Sequence, residues 1–241
     1  KPRFDWQGST LSAAALVTVL LALTFGNQVG WGSGPIVGAM AGFLILFGGF
    51  IWWELRTPSP MLDLRLFKRK LVALGVTAGW LSFLGSSGVR FLMSLYLQSV
   101  LGYSARGAGL IILPSAIAMT IMGTISGRLS DRFGWLKFNV GGLALASLAL
   151  FILWIRLTDN SPLGLIIPIL VLQSVGSGLF GSPNNSSILS AVERSRYGAV
   201  SALTQVIRNS GSVTGIAIVT MVIVGTMSSM GFEPSLDAVS A

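Results

Sequence analysis

Seven long apolar runs divide this sequence, and they limit its possible folds more than any other feature does. Because a helix rises 1.5 Å per residue, a run of about 20 residues crosses the roughly 30 Å hydrocarbon core of a bilayer. The runs cover residues 10–27, 35–53, 71–97, 107–126, 138–157, 163–182 and 198–227. The sequence therefore predicts an all-α integral membrane protein with about seven transmembrane helices.

Composition supports a membrane fold and argues against an enzyme. Charged residues make up 10% of the 241 residues, against about 25% in soluble proteins. The sequence has no cysteine and no histidine, so it offers no disulfide framework, no zinc cluster and no Ser-His-Asp set. It also lacks a phosphate-binding loop of the G-x-x-x-x-G-K type. We predict no enzymatic activity, no metal and no cofactor.

The basic residues follow a membrane topology. If Lys1 is cytoplasmic, twelve of the sixteen Lys and Arg residues fall on the inner side, and only Arg106 and Arg156 fall outside. The positive-inside rule then predicts a cytoplasmic residue 1 and an external residue 241. The net charge of +8 is thus a topology signal, and we expect no nucleic-acid partner.

Glycine spacing predicts close helix packing. Small-xxx-small pairs let two helix backbones approach each other. Such pairs occur at residues 38 and 42, 75 and 79, 123 and 127, and 211 and 215.

Two apolar runs carry polar stripes, and each stripe includes an arginine. One helical face of the seventh run holds Ser201, Gln205, Arg208 and Ser212; one face of the third run holds Gly75, Gly79, Ser82, Ser86 and Arg90. An intramembrane arginine costs roughly 2.5–3.5 kcal/mol on insertion scales, so it should face a bundle interior or a watery cavity. Snorkelling or pairing with helix carbonyls is the alternative. The acids all fall at span ends or in loops, so we expect no proton carrier in this chain.

The segment Gly-Arg-Leu-Ser-Asp-Arg-Phe-Gly at residues 127–134 resembles the G-x-L-x-D-R/K-x-G loop signature of the major facilitator superfamily. Further segments are similar to the fourteen-span drug:proton antiporter branch, namely residues 4–8, 60–67, 95–104, 108–114 and 208–217. The resemblance implies two linker transmembrane helices in residues 1–60. Residues 61–241 would hold five of the six helices of the carboxy-terminal bundle. The chain would then be about half of a transporter, without its amino-terminal half.

The resemblance also implies roles for individual residues. In this superfamily two bundles rock about a central site, and we expect part of the cavity wall from Trp80, Arg90, Met93, Gln98, Gln205, Arg208 and Asn209. Asp131 should latch one conformation by contacting Arg194 or Arg196 at the cytoplasmic surface. The rest of the latch segment comprises Gly127, Arg132 and Gly134. Ordinary helix packing is the alternative for Met93 and Trp80.

The implied function is export of amphipathic, often cationic, compounds in exchange for protons across a plasma membrane, such as a bacterial inner membrane. The expected partners are the lipid bilayer, the missing amino-terminal half, a small amphipathic substrate and protons. Two arginines in the wall would repel cations, so an exporter of lipid-like or anionic compounds is an alternative. Two further alternatives are a half-size, non-transporting scaffold or partner subunit and a transporter for the uptake of a small metabolite.

Overall fold

The computed structural model describes residues 5–30, 32–57, 69–194 and 197–229. This part of the chain forms seven α-helices, and a π-helical turn at Tyr96–Val100 extends the third. The helices are α1 (Trp6–Val29), α2 (Gly34–Arg56), α3 (Lys70–Leu95), α4 (Ala105–Phe133), α5 (Trp135–Arg156), α6 (Leu163–Ser190) and α7 (Tyr197–Ser229). Six of them, α2 to α7, are long and apolar enough to cross a membrane. The all-α membrane fold is confirmed; a crossing by the 24-residue α1 stays a prediction.

Short polar side chains and glycines set the helix ends. The Asp5 carboxylate accepts a hydrogen bond of 2.9 Å from the backbone N–H of Gly8 and so caps α1. The Ser104 hydroxyl accepts one of 3.2 Å from Gly107 at the start of α4. Gly134 alone separates α4 from α5, with a φ of +89° that favours glycine. Helix α5 therefore follows α4 after a connection of a single residue.

Helix α6 lies at the centre of the bundle, where it packs along α4 and α5 and also contacts α3. Glycines make these approaches close. A Cβ on Gly142 would lie 2.7 Å from the carbonyl oxygen of Gly176 in α6, and one on Gly178 would lie 2.7 Å from that of Met119 in α4. These positions accept only glycine without a backbone shift, because the two helix backbones touch directly and leave no room for a side chain.

Helices α3 and α7 run parallel and pack along a seam that steps by four residues on both. A Cβ on Gly211 would lie 2.7 Å from the Trp80 carbonyl oxygen, and one on Gly215 would overlap that of Leu84. One turn further, a Cβ on Gly88 would lie 3.1 Å from Val219. The predicted pair at residues 211 and 215 thus lies in a helix contact.

The pair at residues 38 and 42 behaves differently. Among the described residues a Cβ on Gly38 would meet nothing within 4 Å, and one on Gly42 would make an ordinary contact of 3.6 Å with Thr18. The prediction of close packing is wrong for this pair.

Helices α1 and α2 form an antiparallel hairpin whose extensive contacts are with each other among the described helices. The indole N–H of Trp53 donates a hydrogen bond of 3.0 Å to Asp5 at its end. Glu54 beside it is 1% exposed, so one acid that the sequence places at a span end is buried. The hairpin matches the expected linker pair in its extent, and the domain division stays a prediction.

Candidate functional site

Arg208 lies at the junction of α3, α6 and α7. One guanidinium N–H donates a hydrogen bond of 3.4 Å to the side-chain oxygen of Asn185 on α6. The guanidinium carbon lies 5.3 Å from the ring centroid of Phe83 on α3, within cation–π range. The side chain is half-buried. Arg208 therefore faces other helices of the bundle rather than lipid alone, as an intramembrane cation requires.

A small cavity of about 10 Å³ lies beside Arg208 and is large enough for about one water molecule. Asn184 lines it and is 5% exposed. The Asn184 amide N–H donates a bond of 3.0 Å to the Gly75 carbonyl on α3, which fixes the orientation of the amide. Its Oδ1 is buried without a hydrogen-bond partner among the described residues. A water in the cavity would satisfy this acceptor.

Arg90 belongs to a second polar contact between α3 and α7. Its guanidinium donates a bond of 3.0 Å to the Ser87 hydroxyl, and Ser87 donates one of 2.9 Å to Ser212 on α7. Within the described ranges neither Arg90 nor Arg208 forms an ion pair. Arg90 itself is exposed. The chain of bonds connects the arginine to the seam between the two helices.

The predicted stripe on α3 divides between two neighbours. Ser86 turns toward α6, where the Gln173 amide donates bonds of 2.9 Å to Ser86 and 3.1 Å to Ser177. Arg90 joins α7 through Ser87. Ser86 and Arg90 therefore do not share one surface, because the stripe is broad enough to reach both neighbouring helices.

Three other predicted cavity residues lie near Arg208. The Trp80 indole N–H donates a bond of 3.1 Å to Ser210 on α7. The Gln205 amide donates one of 3.1 Å to Asn209, and both of these side chains are exposed. The structure thus places Trp80 and Arg208 at the seam between α3 and α7, while Gln205 and Asn209 are exposed on α7 near Arg208.

Gln98 and Met93 lie elsewhere. Gln98 is exposed on the π-helical turn after α3 and donates bonds of 3.0 Å to the Ser94 carbonyl and hydroxyl oxygens. Met93 is 0% exposed and belongs to a hydrophobic cluster with Leu97 and Ile166. A fully buried thioether favours the alternative of ordinary helix packing, so the proposals below leave Met93 out, and its place on a cavity wall stays a prediction.

The predicted latch segment is not a loop. Residues 127–133 form the last turns of α4, and only Gly134 lies between α4 and α5. A Cβ on Gly127 would lie 2.6 Å from the Ser182 hydroxyl of α6, so this glycine allows close packing. The helix continues because Gly134, with its positive φ, is the first residue that breaks it.

The latch contact itself does not form between described residues. Asp131 is exposed and makes no hydrogen bond or ion pair within the described ranges, and Arg194 is exposed as well. Arg132 stacks over Phe133 at 5.6 Å. Arg196 lies outside the described residues. The latch therefore stays a prediction.

Sequence reasoning missed a row of buried polar side chains on α6. Gln173, Ser177 and Asn184 are buried polar residues that bond to α3 or to each other. Their spacing of four and seven residues places them on one helical face. That periodicity was the available signal, and Asn185 lies beside the same face.

Comparisons with known proteins agree with the helical membrane fold. The sequence profile described as Major Facilitator Superfamily matches residues 6–216. Lincomycin resistance protein LmrB of Listeria monocytogenes is 28% identical over 218 residues, which are 90% of this chain and 46% of that protein. Multidrug resistance protein Stp of Mycobacterium tuberculosis is 29% identical over 98% of this chain and 43% of its own length. Cephamycin export protein CmcT of Amycolatopsis lactamdurans is 32% identical over 90% and 45%. The chain spans about half the length of these relatives.

Proposed function

Because this chain belongs to the major facilitator superfamily, we propose that it is part of an efflux transporter for amphipathic compounds and works by alternating access. It is a multi-pass membrane protein of a transporter family, not an enzyme. The observation that carries the proposal is the position of Arg208, a half-buried cation at the junction of three membrane helices. Such residues mark substrate pathways. Relatives named for antibiotic resistance and export support the direction of transport.

The packing suggests which parts move together. Backbone contacts at glycines join α3 to α7 and α4 and α5 to α6. Interfaces of this kind resist separation, because the backbones have no flexible side chains between them. By contrast, α6 and α7 touch over a short stretch, which includes the bond of 3.4 Å between Arg208 and Asn185. In our proposal the bundle moves largely as a rigid body and turns the face that carries Arg208 toward either side of the membrane.

In the whole transporter, other parts of the protein must form the rest of the cavity wall. We propose that a second bundle, corresponding to the other half of the relatives' length, faces the seam of α3 and α7. The linker pair α1 and α2 would join the two bundles. The proton-carrying acid would lie in that second bundle, because α3, α6 and α7 contain no Asp or Glu. The protein would lie in a plasma membrane with residue 1 cytoplasmic.

Dye accumulation in cells tests the efflux proposal. Cells that lack their main drug exporters are loaded with an amphipathic dye and energised, with and without expression of the protein as the cell makes it. We expect faster loss of dye with the protein, and we expect an uncoupler that collapses the proton gradient to abolish the difference. Equal dye retention with and without the protein, at a confirmed membrane level, would refute efflux.

The mass of the natural polypeptide separates a transporter half from a half-size scaffold. Denaturing mass spectrometry on membranes extracted without proteolysis should find about twice the mass of this 241-residue chain. A mass equal to that of the 241-residue chain, together with no partner half in the purified complex, would favour the scaffold.

A further inference from the structure

We propose that Arg208 selects exported compounds that carry an anionic group, such as a carboxylate, a sulfonate or a phosphate. The inference rests on the proposed efflux function and specifies the substrate class for the same seam. Arg208 would bind the anion, and Arg90 would add a second positive charge farther along α3.

The first argument is the charge of the seam. Helices α3, α6 and α7 contain no acidic residue, and away from their ends their only charged side chains are Arg90 and Arg208. Arg90 lies seven residues beyond Phe83 on α3, which is about 10 Å along the helix axis. A compound that approaches this face of the bundle therefore meets two positive groups and no negative one from these three helices. An anion is attracted to such a surface, and a cation is repelled.

The second argument is the geometry of Arg208. A guanidinium has five N–H donors, and among the described residues one of them finds an acceptor, in the bond of 3.4 Å to Asn185. Phe83 lies under the guanidinium at 5.3 Å. Because the contact with Phe83 supplies no hydrogen-bond acceptor oxygen, the other N–H donors have no such acceptor among the described residues. A planar fork of this kind matches the two oxygens of a carboxylate or phosphate.

The third argument is the rigidity of the support. One turn beyond Arg208, a Cβ on Gly211 would lie 2.7 Å from the Trp80 carbonyl oxygen, so the backbone of α7 is fixed against α3. The bond of 3.1 Å between Trp80 and Ser210 adds to this contact. A binding group on such a backbone is preorganised, and little ordering of the backbone remains when a ligand binds.

Two xanthene dyes of similar size and opposite charge test the proposal, namely anionic fluorescein and cationic rhodamine 123. Transport of each is measured in everted vesicles that contain the protein as the cell makes it. We expect the wild type to transport fluorescein with the lower KM. Arg208→Gln should raise the fluorescein KM about tenfold or more, since a charged hydrogen bond is commonly worth at least one power of ten in affinity. It should leave rhodamine 123 transport equal or improved.

Two further variants separate charge from folding. Arg208→Lys keeps the positive charge without the fork, so we expect a KM between those of the wild type and Arg208→Gln. Arg106→Gln removes an exposed arginine at the start of α4. It should leave the transport of both dyes unchanged. Anisotropy of fluorescein with the purified protein gives the same ranking independently of transport.

The outcomes distinguish this inference from the efflux proposal. If the wild type exports rhodamine 123 in preference to fluorescein and Arg208→Gln does not alter that preference, efflux stands and anion selection is refuted. The same conclusion follows if an acid from elsewhere in the protein occupies Arg208, because fluorescein binding would then be equal in wild type and variant. If the wild type exports neither dye, the efflux proposal fails and the selection fails with it.

Discussion

Replacing Gly215 with alanine places a methyl group in the seam between α3 and α7. The new Cβ would overlap the carbonyl oxygen of Leu84 and lie 2.9 Å from its carbonyl carbon, whereas ordinary contacts begin at 3.4 Å. To bring the contact with the carbonyl carbon alone to 3.4 Å, α3 and α7 must move apart by about 0.5 Å. That gap costs a quarter or more of the energy of each affected dispersion contact. The oxygen requires more.

The same displacement weakens the polar contacts of the seam. The bonds from Trp80 to Ser210 and from Ser87 to Ser212 measure 3.1 Å and 2.9 Å. A shift of about 0.5 Å moves them to the limit of good geometry or past it. Overpacking costs about 1–3 kcal/mol, and each of the two weakened bonds in a membrane bundle adds on average about 0.6 kcal/mol. We expect a loss of about 2–4 kcal/mol in the free energy of unfolding.

Thermal unfolding of the purified protein in detergent measures this loss. At about 2–4 °C per kcal/mol for a chain of this size, Tm should fall by about 4–16 °C. Gly225→Ala is the matched control on the same helix, because its Cβ would meet nothing within 4 Å among the described residues. Alanine there should leave Tm unchanged or raise it slightly. Equal Tm values for the wild type and both variants would refute the backbone contact at Gly215.

Two further predictions concern the hairpin and the end of α4. Trp53→Phe removes the indole bond of 3.0 Å to Asp5 and should lower the free energy of unfolding by about 1 kcal/mol. The measurement is a fall in Tm of about 2–4 °C. An unchanged Tm would show that this bond does not stabilise the hairpin. Asp131→Asn should reduce dye efflux while the membrane level of the protein, measured by immunoblot, stays the same; unimpaired efflux would end the latch hypothesis.

Hydropathy determined the fold class because the bilayer imposes length and polarity on each helix. The apolar runs matched helices closely at their centres. The end of α4 differs from the expectation, because the motif at residues 127–134 resembles a loop signature while the helix continues until Gly134 breaks it. Polar residues such as Asp131 continue a helix readily when no glycine or proline intervenes.

The candidate site was predicted only in part, because helical periodicity gives faces but not neighbours. Arg208 was found since a cation in an apolar run is conspicuous. Met93 could not be separated from a cavity residue by its type alone, and only the packing shows that it is buried. Gln173 and Asn184 bond to α3 across the bundle. Such partners depend on the packing of α6 against α3, which the spacing along either helix does not contain.

Proton movement in a purified system tests the central claim, which is that this protein exports amphipathic compounds in exchange for protons. The protein as the cell makes it is reconstituted in vesicles that contain a pH-sensitive dye, and an amphipathic substrate is added across an imposed pH gradient. We predict a substrate-dependent proton flux that is absent from protein-free vesicles and that accompanies uptake of the substrate. Substrate movement without any proton flux would contradict antiport, and the absence of both would contradict transport.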